Sequence, residues 1–235
     1  MDYNAYVQQI ATMAVVPTTD ANFQIILPQA INYAELRIQR DLDFLSTQTS
    51  NTSYSLTASN NTLTIPTSSF VTLQTMALSY DSNTYPLVPV TKEYIQNVYG
   101  GSSYTGRPVA FAVYGGDAAT AGLTSQNIIV GPYPDQGYSV VLTGTIRSAP
   151  LSSTNTTTFI SVYLPDLMIM ASMIYISAYQ RNFGRLNDDP QMAQTYESQY
   201  QALKAGALIE ENRKKFEAAA WTSYSPAPVA SPTRG

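Results

Sequence analysis

The residues that come nearest to acid–base or metal chemistry in this sequence are two pairs of acids, Asp188-Asp189 and Asp41 with Asp43. Paired carboxylates can share a proton or hold a cation. Asp188-Asp189 stands just ahead of Pro190, in a loop before a helix, which is the setting of an N-cap and its neighbour. Asp41 and Asp43 point to different helix faces, because positions i and i+2 do not share one. Two glycine pairs, Gly100-Gly101 and Gly115-Gly116, lack the Lys-Ser/Thr that a phosphate loop requires. The chain has no His and no Cys. That removes imidazole acid–base catalysis, most Ser/His/Asp triads, His-ligated zinc, thiolate chemistry and disulfides. The sequence predicts no enzyme, no cofactor and no metal site.

What remains are residues suited to contact. Trp221 is the only Trp, and it stands where a helix gives way to the Pro-containing tail TSYSPAPVASPTRG. Aromatic and Arg residues dominate interface hot spots. Trp221 and Tyr224, with Phe216 and the basic run Arg213-Lys214-Lys215, are therefore candidate anchors on a partner or a neighbouring subunit; the alternative is that Trp221 folds back on its own helical domain. The basic run also suits the last turn of a helix, where it would complement the dipole. A net charge of -4 argues against a nucleic-acid grip. Charged residues make up 12% of the chain, about half the usual share. Ser, Thr, Asn, Gln and Tyr fill the gap, so much of the surface must be neutral and polar, as on proteins covered by partners and on extracellular β-modules.

Helical spacing marks both ends of the chain. Asp2 would cap a first helix with Tyr6, Val7, Ile10, Met13 and Ala14 on one face, stopped by Pro17. Thr19-Asp20 would cap a second, whose Phe23, Ile26, Leu27, Ala30, Ile31, Ala34 and Ile38 recur at three and four. Pro28 should kink or divide it. Glu35, Arg37, Arg40 and Asp41 read as a solvated face. After Leu45 the texture changes. STQTSNTSYSLTASNNTLTIPTSSF has no charge and resolves into short strands. YSLTA, TLTIP, FVTLQTMALSY, YPLVPVT, RPVAFAVYGG, QNIIVGPYP and YSVVLTGTIRSAP give about seven, with turns at Asp81-Ser82-Asn83 and Asp135 to Gly137. KEYIQNVYGG reads as a short helix capped by Thr91. That density predicts an antiparallel sandwich or barrel. The helical period then returns. Leu164-Pro165-Asp166 starts a helix to about Arg181, and a last helix carries Met192, Tyr196, Tyr200, Leu203, Ala207 and Leu208 as its stripe.

The expected fold is α+β: a helical bundle domain from both chain ends, 1–46 and 150–220, with an antiparallel β-domain inserted at 47–149 and an extended arm at 221–235. The most apolar stretch, FISVYLPDLMIMASMIYISAYQRNFG, is too short to cross a bilayer once Pro165-Asp166 interrupts it. Leu167 to Tyr179 has about 13 residues, where a span needs about 20. It predicts a buried core helix presenting Leu167, Ile169, Met170, Met173, Ile174 and Ile176, with neighbouring subunits covering what the domain leaves open. The opening MDYNAYVQQI lacks the basic-then-apolar run of a secretory signal.

The order of parts resembles the head–tail adaptor (connector) proteins of tailed bacteriophages, in particular the podovirus-like type. AELRIQRDL leads into the β insertion. GRPVAFAVYG carries a Gly-x-Pro step before a Tyr-containing strand. PYPDQGYS, LPDLMIMASM and the Tyr/Gln-rich YESQYQALKAGALIEENRKK follow. The similarity spans about residues 20 to 215, and it lies in the order of the pieces. It implies a structural virion protein at the capsid–tail junction, assembled in the host cytoplasm. Such proteins form a ring of identical subunits, commonly dodecameric, under the portal. They offer a docking surface to tail (nozzle or tail-tube) proteins and line the exit channel of double-stranded DNA without binding it sequence-specifically. The resemblance implies no membrane. A second class stays open: tyrosines on an antiparallel sheet can stack on sugars, so the β-domain could be a carbohydrate- or receptor-binding tail module. Tyr80, Tyr85, Tyr99, Tyr104, Tyr114, Tyr133 and Tyr138 are its candidates, although tyrosines also fill the half-buried edges and subunit contacts of a small sandwich.

Overall fold

A computed structural model describes residues 1–66, 70–115, 125–181 and 192–218. It divides into two compact units: residues 1–45 with 150–235, and residues 46–149.

The first unit is helical. Helix α1 spans Tyr3–Met13 and α2 spans Ala21–Asp41. Asp2 and Asp20 cap them: each carboxylate accepts a backbone N–H at 2.8 Å, from Ala5 and from Phe23. All seven stripe residues of α2, Phe23 through Ile38, are buried. Pro28 does not divide α2. Pro28 and Gln24 are both exposed, so water can meet the Gln24 carbonyl that the ring leaves without its helical donor. A short helix α4, Phe159–Tyr163, precedes α5, Pro165–Arg181. Thr158 and Ser161 form a capping box at the start of α4. The last helix, α6, spans Met192–Ala218. Of its expected stripe, Tyr200 and Ala207 are buried, but Met192 and Leu208 are exposed.

Helix α5 lies against α1, α2, α4 and α6. Leu167, Met168, Ile169, Ala171, Met173 and Ile176 are buried, while Met170 and Ile174 are half-buried against the same core. Its buried serines are hydrogen-bonded, Ser177 to the Ile174 carbonyl at 3.0 Å. Tyr6 on α1 and Ser172 on α5 are hydrogen-bonded in the core, and the Ser172 hydroxyl donates to the Met168 carbonyl at 2.8 Å. Burial pushes the Tyr6 phenol well above its usual range. Neighbouring helices of the same chain therefore cover most of the apolar core of α5, and Met170, Ile174 and Tyr175 are left half-buried. Among the described residues no helix is long and apolar enough to cross a membrane.

Glu35 corrects the solvated-face reading of α2, because it is buried. Its carboxylate accepts the Leu151 N–H at 3.1 Å and the Thr158 hydroxyl at 3.1 Å. It thus fastens α2 to the chain that re-enters the helical unit. The backbone N–H of a re-entrant segment is an obligatory donor, and Glu35 meets it. Burial raises the Glu35 carboxyl above the ordinary carboxylate range, against the pull of those two donors. A raised folded value means that the folded state keeps the proton to higher pH than the unfolded state. The associated stability is complete below the ordinary value of 4.5 and is lost as pH rises through the folded value. Glu35→Gln should abolish that decline and destabilise by about 1 kcal/mol, one donor losing its acceptor. Urea midpoints of both proteins across the weakly acidic range would show it. Parallel curves would mean that Glu35 does not titrate there.

The second unit is a sandwich. One sheet has the order β1-β10-β3-β4 and the other β2-β8-β7-β5, with a separate β6-β9 pair. The strands are β1 Gln48–Leu56, β2 Thr62–Pro66, β3 Thr72–Tyr80, β4 Asn83–Pro86, β5 Val88–Pro89, β6 Thr105–Gly106, β7 Ala110–Tyr114, β8 Ser125–Gly131, β9 Tyr133–Pro134 and β10 Tyr138–Thr145. Pairing is antiparallel except in the two-residue ladders β5–β7 and β6–β9. Asp81 and Ser82 take φ of 48° and 60° in the tight turn between β3 and β4. Leu56, Met76, Leu78, Val140 and Leu142 of the first sheet share a core with Leu63, Ile65, Phe111, Ile128 and Val130 of the second. The short helix α3, Lys92–Tyr99, covers the other face of the second sheet and buries Ile95 against Ala112 and Ile129. That two-sided cover explains the unbroken apolar runs of β7 and β8, which do not alternate.

Candidate assembly interface

The contact residues singled out in the sequence fall on the last turns of α6 and beyond. Glu211 is buried there. Its carboxylate accepts the Leu45 N–H at 3.3 Å and the Lys214 ammonium at 2.8 Å. Lys214 also pairs with Glu210 at 2.7 Å and lies 5.6 Å from the centre of the Phe159 ring. The Glu210 and Glu211 carboxylates hold the Lys214 pKa above its ordinary value. Lys215 pairs with Asp43. Two of the three bases thus engage acids of their own helical unit: Lys214 pairs within α6, while Lys215 with Asp43 and Glu211 with the Leu45 N–H hold the end of α6 against the chain that follows α2. Arg213 is exposed, and Phe216 is 70% exposed. These two present an outward cation and an outward aromatic one turn apart on the same helix. Trp221 and Tyr224 lie outside the described residues, as do Asp188 and Asp189.

A second surface lies along α2. Arg37 reaches Glu197 of α6 at 2.6 Å and the Tyr33 hydroxyl at 3.2 Å, and its guanidinium stacks 4.3 Å above the Tyr200 ring. Tyr200 is buried and donates to Asp41 at 2.8 Å. Lys204 adds an ion pair to Asp41 at 3.5 Å. The Arg37 hydrogen bond holds Glu197 below the ordinary carboxylate range. An open groove of about 520 Å³ follows this network, lined by Gln29, Asn32, Tyr33, Leu36, Arg37, Arg40, Asp41 and Tyr175. Arg37 and Asp41 therefore join α2 to α6, a role the sequence reading missed. The missing signal is a pairing more than 150 residues away along the chain, which helical spacing cannot carry.

In the β unit the seven tyrosines do not form one platform. Tyr138 is buried, with its hydroxyl donating to Asp135 at 2.7 Å. Arg107 covers the Tyr85 ring at 4.0 Å and Lys92 the Tyr114 ring at 4.2 Å. Tyr80 and Tyr104 are exposed, whereas Tyr99 and Tyr133 are half-buried. Among the described residues no group of three or more acids could hold a metal ion.

A family model described as SU10 adaptor protein matches residues 1–229 of the chain. No curated protein matches it.

Proposed function

We propose that this chain, which belongs to the SU10 adaptor protein family and is accordingly a structural adaptor protein of a bacteriophage particle, is the head–tail adaptor that forms a ring beneath the portal. The observation that carries the reading is the match of the family model over residues 1–229, both units included. In this reading the helical unit and the β unit are the two domains of each subunit. Twelve subunits form the ring, tail components dock on its far side, and DNA leaves through its centre. A net charge of -4 suits a channel that lets DNA slide. A head-to-tail contact closes into a ring when its rotation divides a full turn. The portal supplies that template, so the free chain is a monomer at low concentration.

Arg213, Phe216, Trp221 and Tyr224 are the proposed anchors on the portal or a neighbouring subunit. Lys215 supports them by tying the end of α6 to Asp43, and Lys214 by pairing with Glu210 and Glu211 along α6 itself. The test compares the full chain with a version lacking residues 219–235, and with Arg213→Ala/Phe216→Ala, for co-sedimentation with the portal ring of the same particle. Each change should weaken association by at least about thirtyfold, as loss of hot-spot contacts worth about 2 kcal/mol does. Undiminished co-sedimentation of both versions would refute the anchors. Loss for the double variant alone would place the contact on α6 and free the tail for another role.

A further inference from the structure

Four strands are outermost in the two sheets: β1 and β4 in one, β2 and β5 in the other. An outer strand presents unpaired backbone groups that another chain can use, and proline is one device that prevents this. Three of the four carry one: β2 has Pro66, β4 has Pro86 and β5 has Pro89. Strand β1 has none. It is nine residues long, QTSNTSYSL, with neither proline nor charge, and among the described residues it pairs only with β10. The Ile146 N–H donates to the Thr47 carbonyl at 2.9 Å. Backbone direction alternates along a strand, so the N–H and C=O of Gln48 and Ser50 turn away from β10. A bulge after Asn51 confines this regular edge to the first half of the strand.

The tail has a matching peculiarity. Its prolines, Pro226, Pro228 and Pro232, all fall on even positions. In an extended chain, residues of one parity direct both backbone groups to one side. Ser225, Ala227, Val229, Ser231 and Thr233 could therefore offer a complete set of N–H donors on one edge, while the prolines close the other. Such a strand adds to a sheet and ends it.

We propose that residues 225–233 of one copy add as an edge strand to β1 of a second copy, beside Gln48 and Ser50, and so link successive subunits. This rests on the ring reading above and specifies one of its contacts. Strand addition draws its affinity from main-chain hydrogen bonds, which explains how an uncharged Ser/Thr/Asn strand can serve as a docking edge.

The test uses full-length chains and one substitution at two parities. Ala227→Pro removes an N–H aimed at β1, and Ala230→Pro removes one aimed away. Because the chain has no Cys, a Ser50→Cys chain mixed with a Val229→Cys chain can be oxidised without background. Cross-strand Cα spacing of about 4.5–5.5 Å suits a disulfide. In assemblies on the portal ring, the disulfide should form between the two chains. The Gln48 and Ser50 amides should exchange at least about tenfold more slowly than in the monomer, as amides in a formed ladder do. Ala230→Pro should keep both signals and Ala227→Pro should lose both. Equal behaviour of the two proline variants would overturn strand addition. So would a disulfide that forms only when both cysteines are on one chain. A ring whose β1 amides exchange freely would overturn strand addition and leave the ring reading standing. Failure of every variant, and of the unmodified chain, to form a ring would overturn the ring reading and the second-copy occupant with it.

Discussion

Met168→Lys is expected to unfold the helical unit. Met168 is fully buried in α5, within a core built from α1, α2, α4, α5 and α6. A lysine there places a charge with no partner in a medium that cannot solvate it. Such changes destabilise by at least about 4 kcal/mol, a large share of the 5–15 kcal/mol that holds a typical domain. Met168→Leu, which nearly preserves volume, should change stability by less than about 1.5 kcal/mol. Chemical denaturation of the free chain at low concentration decides the matter. If the Lys variant folds as a monomer with an unchanged midpoint, α5 is not covered by its own chain and needs neighbours to bury it.

The second large effect belongs to the β unit. Gly144 sits on β10 where the register to β3 shifts. A Cβ added there would lie 2.3 Å from the Thr72 carbonyl oxygen, 2.9 Å from the Phe70 ring and 3.1 Å from the Leu73 Cα. Two of those neighbours are backbone, so the alanine can be accommodated only by opening the ladder. Gly144→Ala should destabilise the unit by about 3 kcal/mol, at the upper end of overpacking effects. The two substitutions together also test the two-domain reading. If the units fold independently, Met168→Lys should leave exchange protection in β3, β8 and β10 intact, and Gly144→Ala should leave it intact in α2 and α5. Equal loss in both units from either change would mean that they unfold as one.

The mixed helix-and-sheet class was legible because helical and strand periods occupy different parts of the chain. Residues 21–41 show a stripe that is wholly buried, and their caps form as the sequence suggests. Thr91 likewise caps α3, accepting the Tyr94 N–H at 3.2 Å. Short elements were harder. Helix α4 has five residues, too few for a period to emerge, although Thr158 and Ser161 carry its capping box. The ladders β5–β7 and β6–β9 are two residues long and have no sequence signature. The largest misreading concerned charge. Glu35, Arg37 and Asp41 have the spacing of a solvated face, yet Glu35 binds Leu151 and Thr158, Arg37 binds Glu197, and Asp41 accepts from Tyr200. Each partner lies more than 100 residues away along the chain, where local pattern gives no information. The same holds for Lys215, whose partner Asp43 lies across the chain, whereas the pairing of Lys214 with Glu210 and Glu211 follows the helical spacing of three and four and was open to the sequence.

A ring-forming adaptor must add a layer to the portal. Electron microscopy of the purified chain, alone and mixed with the portal ring of the same particle, tests this most directly. Particles without a ring are expected in the first sample and a new ring layer stacked on one face of the portal in the second. A chain that leaves the portal bare at every ratio would contradict it.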